Sequence, residues 1–193
     1  VYAIAAVFNL KVPDTDAHYP NQEHHPWLLV KDFGHCLKKL WGDSLGQISL
    51  AVTTLFWGAG ATLQFIILKW AEVQLGMALS SAAKLQGIVA IGIAVGAILA
   101  ARYVSLRGSL SVLRVGIAMG VLVPLMTLIS SLEWAYPLLI IVGGLAGFFV
   151  VPMNALLQHR GHLLMSAGHS IAVQNFNENL SVLLMLGLYS LLI

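Results

Sequence analysis

Charge is what this sequence has least of. Only 9% of its 193 residues are Asp, Glu, Lys or Arg, where a water-soluble domain carries about a quarter. A chain so poor in ionised side chains cannot cover a globular surface in water, which excludes an ordinary soluble domain. The single cysteine, Cys36, excludes an intrachain disulfide; it stands in a polar stretch and reads as a passive thiol. The histidines His18, His24, His25 and His35 are irregularly spaced and do not form a metal-ligand pattern. No nucleophile elbow, phosphate-binding glycine loop or metalloprotease helix occurs. No catalytic residue, metal, cofactor or nucleic-acid partner is therefore expected, and an enzyme is the disfavoured class.

What is present is apolar. Hydrophobic residues make up 59% of the chain and the mean hydropathy is +0.86. Eighteen glycines accompany them, a residue tolerated and useful in membrane helices. Lipid as solvent accounts for both. Five long apolar segments fall at 46–70, 83–104, 109–131, 135–158 and 168–193. Each is long enough, at 1.5 Å per residue, to cross a hydrocarbon core of about 30 Å. Polar breaks at 72–81, 105–108, 133–134 and 158–166 separate them.

Before these segments the chain is different. Residues 1–10 are apolar but too short to span and lack a basic leader, so they are expected to be the end of a preceding transmembrane helix. Residues 11–45 are polar, with Pro13, Pro20 and Pro26, and read as an inter-domain linker. Within it Trp27, Leu28, Phe33, Leu37, Leu40 and Trp41 recur three to four residues apart, with Lys31, Lys38 and Lys39 between them. That pattern predicts an amphipathic surface helix.

The basic residues orient the segments. With the linker in the cytoplasm, eight fall on the cytoplasmic side: Lys11, Lys31, Lys38, Lys39, Arg102, Arg107, Arg114 and Arg160. Two, Lys69 and Lys84, fall on the other. This is a positive-inside bias, and it places Trp70, Trp134 and Tyr136 at the outer interface.

Four groups of residues stand out in the spans. The last carries Gln174, Asn175, Asn177, Glu178 and Asn179 between apolar runs. An ionised carboxylate at that depth costs about 2.5 kcal/mol or more unless it faces protein or water. Gln174, Asn175, Glu178 and Ser181 share one broad sector of a helix, expected to face a central cavity. A binding site for a polar headgroup or cation, a proton relay and an interhelix hydrogen-bond clasp are all open readings. In the first span Trp57 and Gln64 are candidate cavity residues. In the fourth, Pro152 permits a kink, and Asn154, Gln158 and Arg160 lie toward the cytoplasmic end as candidate gating residues. Arg160 is equally a plain topogenic charge. Finally, Gly92 and Gly96, Gly116 and Gly120, and Gly143 and Gly147 are each spaced four apart, which puts small residues on one helix face for close packing.

Three runs carry a family resemblance: 54–60 (Thr-Leu-Phe-Trp-Gly-Ala-Gly), 144–158 (Gly-Leu-Ala-Gly-Phe-Phe-Val-Val-Pro-Met-Asn-Ala-Leu-Leu-Gln) and 172–179 (Ala-Val-Gln-Asn-Phe-Asn-Glu-Asn). They resemble the bacterial lysophospholipid transporters of the major facilitator superfamily, from about residue 45 onward. The resemblance implies an all-α membrane protein: five full transmembrane helices, seven to eleven, of a C-terminal six-helix half (46–193). The N-terminal half then lies outside the chain. It also implies a flippase. Lysophosphatidylethanolamine and lysophosphatidylglycerol would move from the outer to the inner leaflet of the bacterial inner membrane, where an acyltransferase/acyl-carrier-protein synthetase re-acylates them. On that analogy Glu178 contacts the ammonium or holds a gate, and Gln64 contacts the phosphate region. From the residues alone, a proton-coupled drug or metabolite transporter with Glu178 as proton carrier stays open, as does a non-transporting membrane scaffold.

Overall fold

The computed structural model describes Leu10 and residues 25–192. The expectations for residues 1–9 and most of the linker, 11–24, fall outside the described residues. By backbone contacts the chain divides after Asp32 into two units, 1–32 and 33–193. The described part of the first is Leu10 and the start of helix α1 (Pro26–Gly42). The second holds the rest of α1 and five further helices.

These are α2 (Ser44–Leu75), α3 (Leu79–Tyr103), α4 (Leu113–Leu125), α5 (Leu132–Leu164) and α6 (Ala167–Leu192). Short 3-10 turns, Leu106–Val112 and Met126–Leu128, flank α4. No strand occurs among the described residues. Between its ends, every backbone group of a long helix is bonded within its own segment, the condition lipid imposes.

Local chemistry sets the ends. Asp43 caps α2 by accepting a hydrogen bond from the Gly46 N–H at 2.8 Å. Gly76 closes the same helix in the left-handed region (φ 61°), and the Met77 N–H reaches back to the Ala71 carbonyl at 3.1 Å. Pro124 stands at the end of α4, where the helix tightens to 3-10.

Among the described residues, four helical stretches are long and apolar enough to cross a membrane: Ser44–Leu75, Leu79–Tyr103, Leu106–Leu128 and Leu132–Leu164. The helix Ala167–Leu192 is long enough, but its amide and carboxylate residues lower its apolarity, so it does not join that set. The polar stretch 158–166, expected to separate the last two spans, does so only at its end, Met165–Ser166. Helix α5 continues through Gln158, His159 and Arg160 to Leu164. A polar run marks where the hydrocarbon would end; the backbone ladder runs on as long as its own bonds are met.

Helix α5 is the centre. It packs on α3 along its length, and on α2, α4 and α6 as well; α2 also packs on α6. Half of the most apolar stretch of α5 is buried, 50%, against 22% for α2 and 11% for the α4 segment. The α3–α5 contact is a backbone-on-backbone seam. A Cβ on Gly92 would strike the Ile140 carbonyl, and one on Gly96 the Gly144 carbonyl. From the other side Gly143 faces the Val89 carbonyl and Gly147 the Ile93 carbonyl. Gly116 lies against the Phe149 ring, 2.7 Å from where its Cβ would stand. Gly120, expected to pack as its partner does, has nothing within 4 Å.

Two apolar clusters plug opposite ends of the bundle. One joins Ile67 and Trp70 of α2 to Leu85 of α3, Met126, and Leu139 of α5. The other joins Cys36 and Leu40 of α1 to Leu50 of α2, Leu157 of α5 and Val173 of α6. Cys36 is thus in a buried helical position, not a polar loop. Meanwhile Leu55, Ile98, Ile117, Val121, Leu183 and Leu184 are exposed on the outer faces. A continuous apolar exterior of this kind is a liability in water and the expected surface in lipid.

Candidate functional site

Helices α5 and α6 form an antiparallel hairpin with its turn at Met165–Ser166. In such a hairpin, residues equally far from the turn meet. Gly161 and Ser170 are such a pair, and the Ser170 side chain fills the space a Cβ on Gly161 would need; Asn154 and Gln174 meet farther from the turn. The Gln174 Nε2 group donates to Asn154 Oδ1 at 3.0 Å and, one turn along its own helix, to Glu178 Oε1 at 2.8 Å. Gln174 is 8% exposed; Asn154 and Glu178 are half-buried. The result is a three-residue polar chain across two helices, directly beside the apolar cluster containing Leu157 and Val173.

The other polar residues of α6 behave differently. Asn177 is buried and donates to the Val173 carbonyl at 2.8 Å. Asn179 is exposed and donates to the Asn175 carbonyl at 2.7 Å. The sector expected to face one cavity is divided. Gln174 and Ser181 are buried against neighbours, Asn175 is exposed, and Glu178 lies between. Ser181 sits where a Cβ on Gly58 of α2 would be, which explains why α2 carries a glycine at that point.

Trp57 and Gln64 are two turns apart on one exposed face of α2. The structure does not join them to the Gln174 chain. Trp57 meets the Phe56 ring edge-on, with centroids 5.7 Å apart. The Gln64 backbone carbonyl accepts from Gln86 Nε2 of α3 at 3.0 Å, while its side chain is exposed. Gln158 is exposed and Pro152 is buried within a continuous helix. A shallow cleft of ≈ 310 Å³ opens between the C-terminal ends of α2 and α6, lined by Ile66, Lys69, Trp70, Val73, Gln74 and Tyr189. It lies away from the polar chain.

Arg160 has a partner that sequence reasoning missed. Its Nε donates to Asp43 Oδ2 at 2.9 Å and its Nη2 to Asp43 Oδ1, a two-point contact between α5 and the start of α2. The side chains are 26% and 16% exposed. The Arg160 guanidinium holds the Asp43 carboxyl below the usual carboxylate range, and the Gly46 N–H adds to that. Asp43 was legible as an N-cap, since an acid before an apolar run is a helix-start signal. Its second role was not.

Helices that expose apolar side chains outward and bury amide and carboxylate groups between them define a multi-pass α-helical membrane protein. Comparison with known proteins narrows the class. The profile described as Major Facilitator Superfamily matches residues 1–185, so the chain belongs to the Major Facilitator Superfamily. It is 47% identical over 194 aligned positions, the whole of this chain, to proteins named lysophospholipid transporter LplT from Yersinia pestis (strain Pestoides F) and Yersinia pseudotuberculosis serotype O:3 (strain YPIII). The chain spans about half, 48%, of the length of those relatives. No solved structure is a significant match.

Proposed function

We propose that this chain is the C-terminal half of a lysophospholipid transporter, with α2 to α6 as its helices seven to eleven. It moves lysophosphatidylethanolamine and lysophosphatidylglycerol from the outer to the inner leaflet of the bacterial inner membrane. The linker before α2 is cytoplasmic. The products feed re-acylation by an acyltransferase/acyl-carrier-protein synthetase. The observation that carries this reading is the Asn154–Gln174–Glu178 chain in an otherwise apolar bundle. A lysophospholipid has a polar headgroup and one acyl chain. A polar cluster flanked by apolar helices suits both ends at once. The relatives' names supply the substrate class.

In this reading Gln174, Asn175 and Glu178 of α6 and Trp57 and Gln64 of α2 line the headgroup path. They face the N-terminal half. Pro152, Asn154, Gln158 and Arg160 act at the cytoplasmic side of α5 as it moves. The glycine seam joining α3 to α5 makes those two helices move as one body.

The mid-helix carboxylate favours one competing reading, a proton-coupled transporter. Reconstituted vesicles test both. With the complete transporter, a fluorescent lysophosphatidylethanolamine placed in one leaflet should become protected in the other, with or without a pH gradient. Absence of transfer, with proton-driven movement of a drug or metabolite instead, would replace the lipid reading.

A further inference from the structure

Away from the polar chain, α1 and the start of α6 bring together a thiol and an imidazole. The sulfur of Cys36 and a ring nitrogen of His169 lie within 4.8 Å of each other. A zinc–sulfur bond of about 2.3 Å and a zinc–nitrogen bond of about 2.0 Å bridge that span with one ion between them. Cys36 is 6% exposed and shares an apolar cluster with Leu40, Leu50, Leu157 and Val173. His169 is half-buried. Its Nδ1 is hydrogen-bonded to Ser166 Oγ at 2.5 Å, and the same Oγ accepts from the His169 backbone N–H at 3.3 Å. Such a partner fixes the ring and the tautomer, as the outer partners of metal-bound histidines do, and assigns Nε2 to the ligand. Asp32 stands one turn before Cys36 on α1, and residues four apart share a helix face. It is exposed, which opens that face to water.

The geometry points to a site for a zinc-class divalent cation, held by Cys36 and His169, with the Asp32 carboxylate as third ligand and water completing the coordination. The donor set selects the ion. A thiolate, an imidazole and a carboxylate suit zinc, whereas magnesium and calcium take oxygen ligands. Binding releases the Cys36 thiol proton to solvent. Thiolate and carboxylate then balance the two positive charges of the ion, so no net charge is left against the apolar cluster. The bound ion fastens α1 to the start of α6. Its presence does not depend on what the transporter carries.

The test uses the complete protein containing this chain, in detergent and stripped of metal, with zinc and cobalt ions as probes. Cobalt should give a thiolate charge-transfer band in the near ultraviolet, and Cys36→Ser should abolish that band. Zinc should raise the Tm of the wild type, since a ligand of the folded state stabilises it. His169→Ala and Asp32→Asn should each weaken zinc binding about tenfold or more, and Ser166→Ala by a similar factor. Asp32 is exposed, so Asp32→Asn stays folded and measurable where a change at buried Cys36 disturbs packing. A cobalt band that survives Cys36→Ser, or zinc affinity unchanged in both His169→Ala and Asp32→Asn, overturns the assignment. So does a wild-type protein that binds neither ion, whatever its lipid transport.

Discussion

Arg160 and Asp43 are 117 residues apart in sequence, yet the guanidinium of one grips both carboxylate oxygens of the other. Asp43 is also the residue that caps α2. One carboxylate thus starts a helix and fastens it to the end of α5, the central helix of the bundle. Both elements belong to the same helical bundle, so the contact ties it together at the end where α2 begins.

Breaking this contact should loosen that end. Asp43→Ala removes the cap, worth about 0.5–2 kcal/mol, as well as the ion pair. Asp43→Asn keeps a capping side chain and loses mainly the charge. Thermal unfolding in detergent should rank wild type above Asp43→Asn, and Asp43→Asn above Asp43→Ala. A double-mutant cycle with Arg160→Gln should show that the two effects do not add.

The same pair sets a pH dependence. Arg160 holds the Asp43 carboxyl below its ordinary value. A carboxyl whose pKa is lower folded than unfolded adds stability that is fully present above the unfolded value and is lost as pH falls through the folded one. The Tm advantage of wild type over Asp43→Asn should be flat near neutral pH and shrink below about pH 4. An advantage that grows on acidification would contradict the pairing.

The glycines divide into two classes that a single assay separates. Gly96→Leu drives a side chain into the Gly144 backbone, which cannot retreat as a flexible side chain does. A loss of about 3 kcal/mol or failure to fold is expected. Gly120→Ala meets open space and should be neutral or stabilising by up to about 1 kcal/mol, through helix propensity. Size-exclusion profile and Tm of the two variants check this.

Asn154 and Gln174 should behave as one unit in transport. Either residue changed to Ala leaves a buried or half-buried polar group without its partner, a cost of about 1–3 kcal/mol. Transport by the double variant should be no worse than by the poorer single one. Trp57→Ala and Gln64→Ala, on an exposed face, should lower transport while changing stability by no more than about 0.5 kcal/mol. Uptake rate and Tm, measured together, separate these cases.

Much of this architecture is legible in the sequence because lipid imposes simple rules. Long apolar runs and scarce charge are enough for an all-α membrane protein, and the resemblance to the superfamily is borne out by its profile match. The Gln174–Glu178 contact is an i, i+4 pair that any helix would make. Asn154 was legible only as a residue near a helix end. Its contact with Gln174 depends on where the α5–α6 hairpin turns, and the polar run 158–166 does not show that α5 continues to Leu164. The Asp43–Arg160 pair depends on how α2 and α5 pack, which periodicity along one helix cannot report. Gly120 repeats the spacing of Gly116 but not its setting, because spacing defines a face and not its neighbour.

The most direct measurement is lysophosphatidylethanolamine uptake and re-acylation in spheroplasts lacking their own transporter. They are supplied with the complete protein containing this chain or with its Glu178→Ala variant. Labelled diacyl phospholipid should accumulate with the wild type and fall at least about tenfold with the variant at equal membrane abundance. No accumulation with well-expressed wild type, or equal accumulation with both, would contradict a lipid path through the Asn154–Gln174–Glu178 chain.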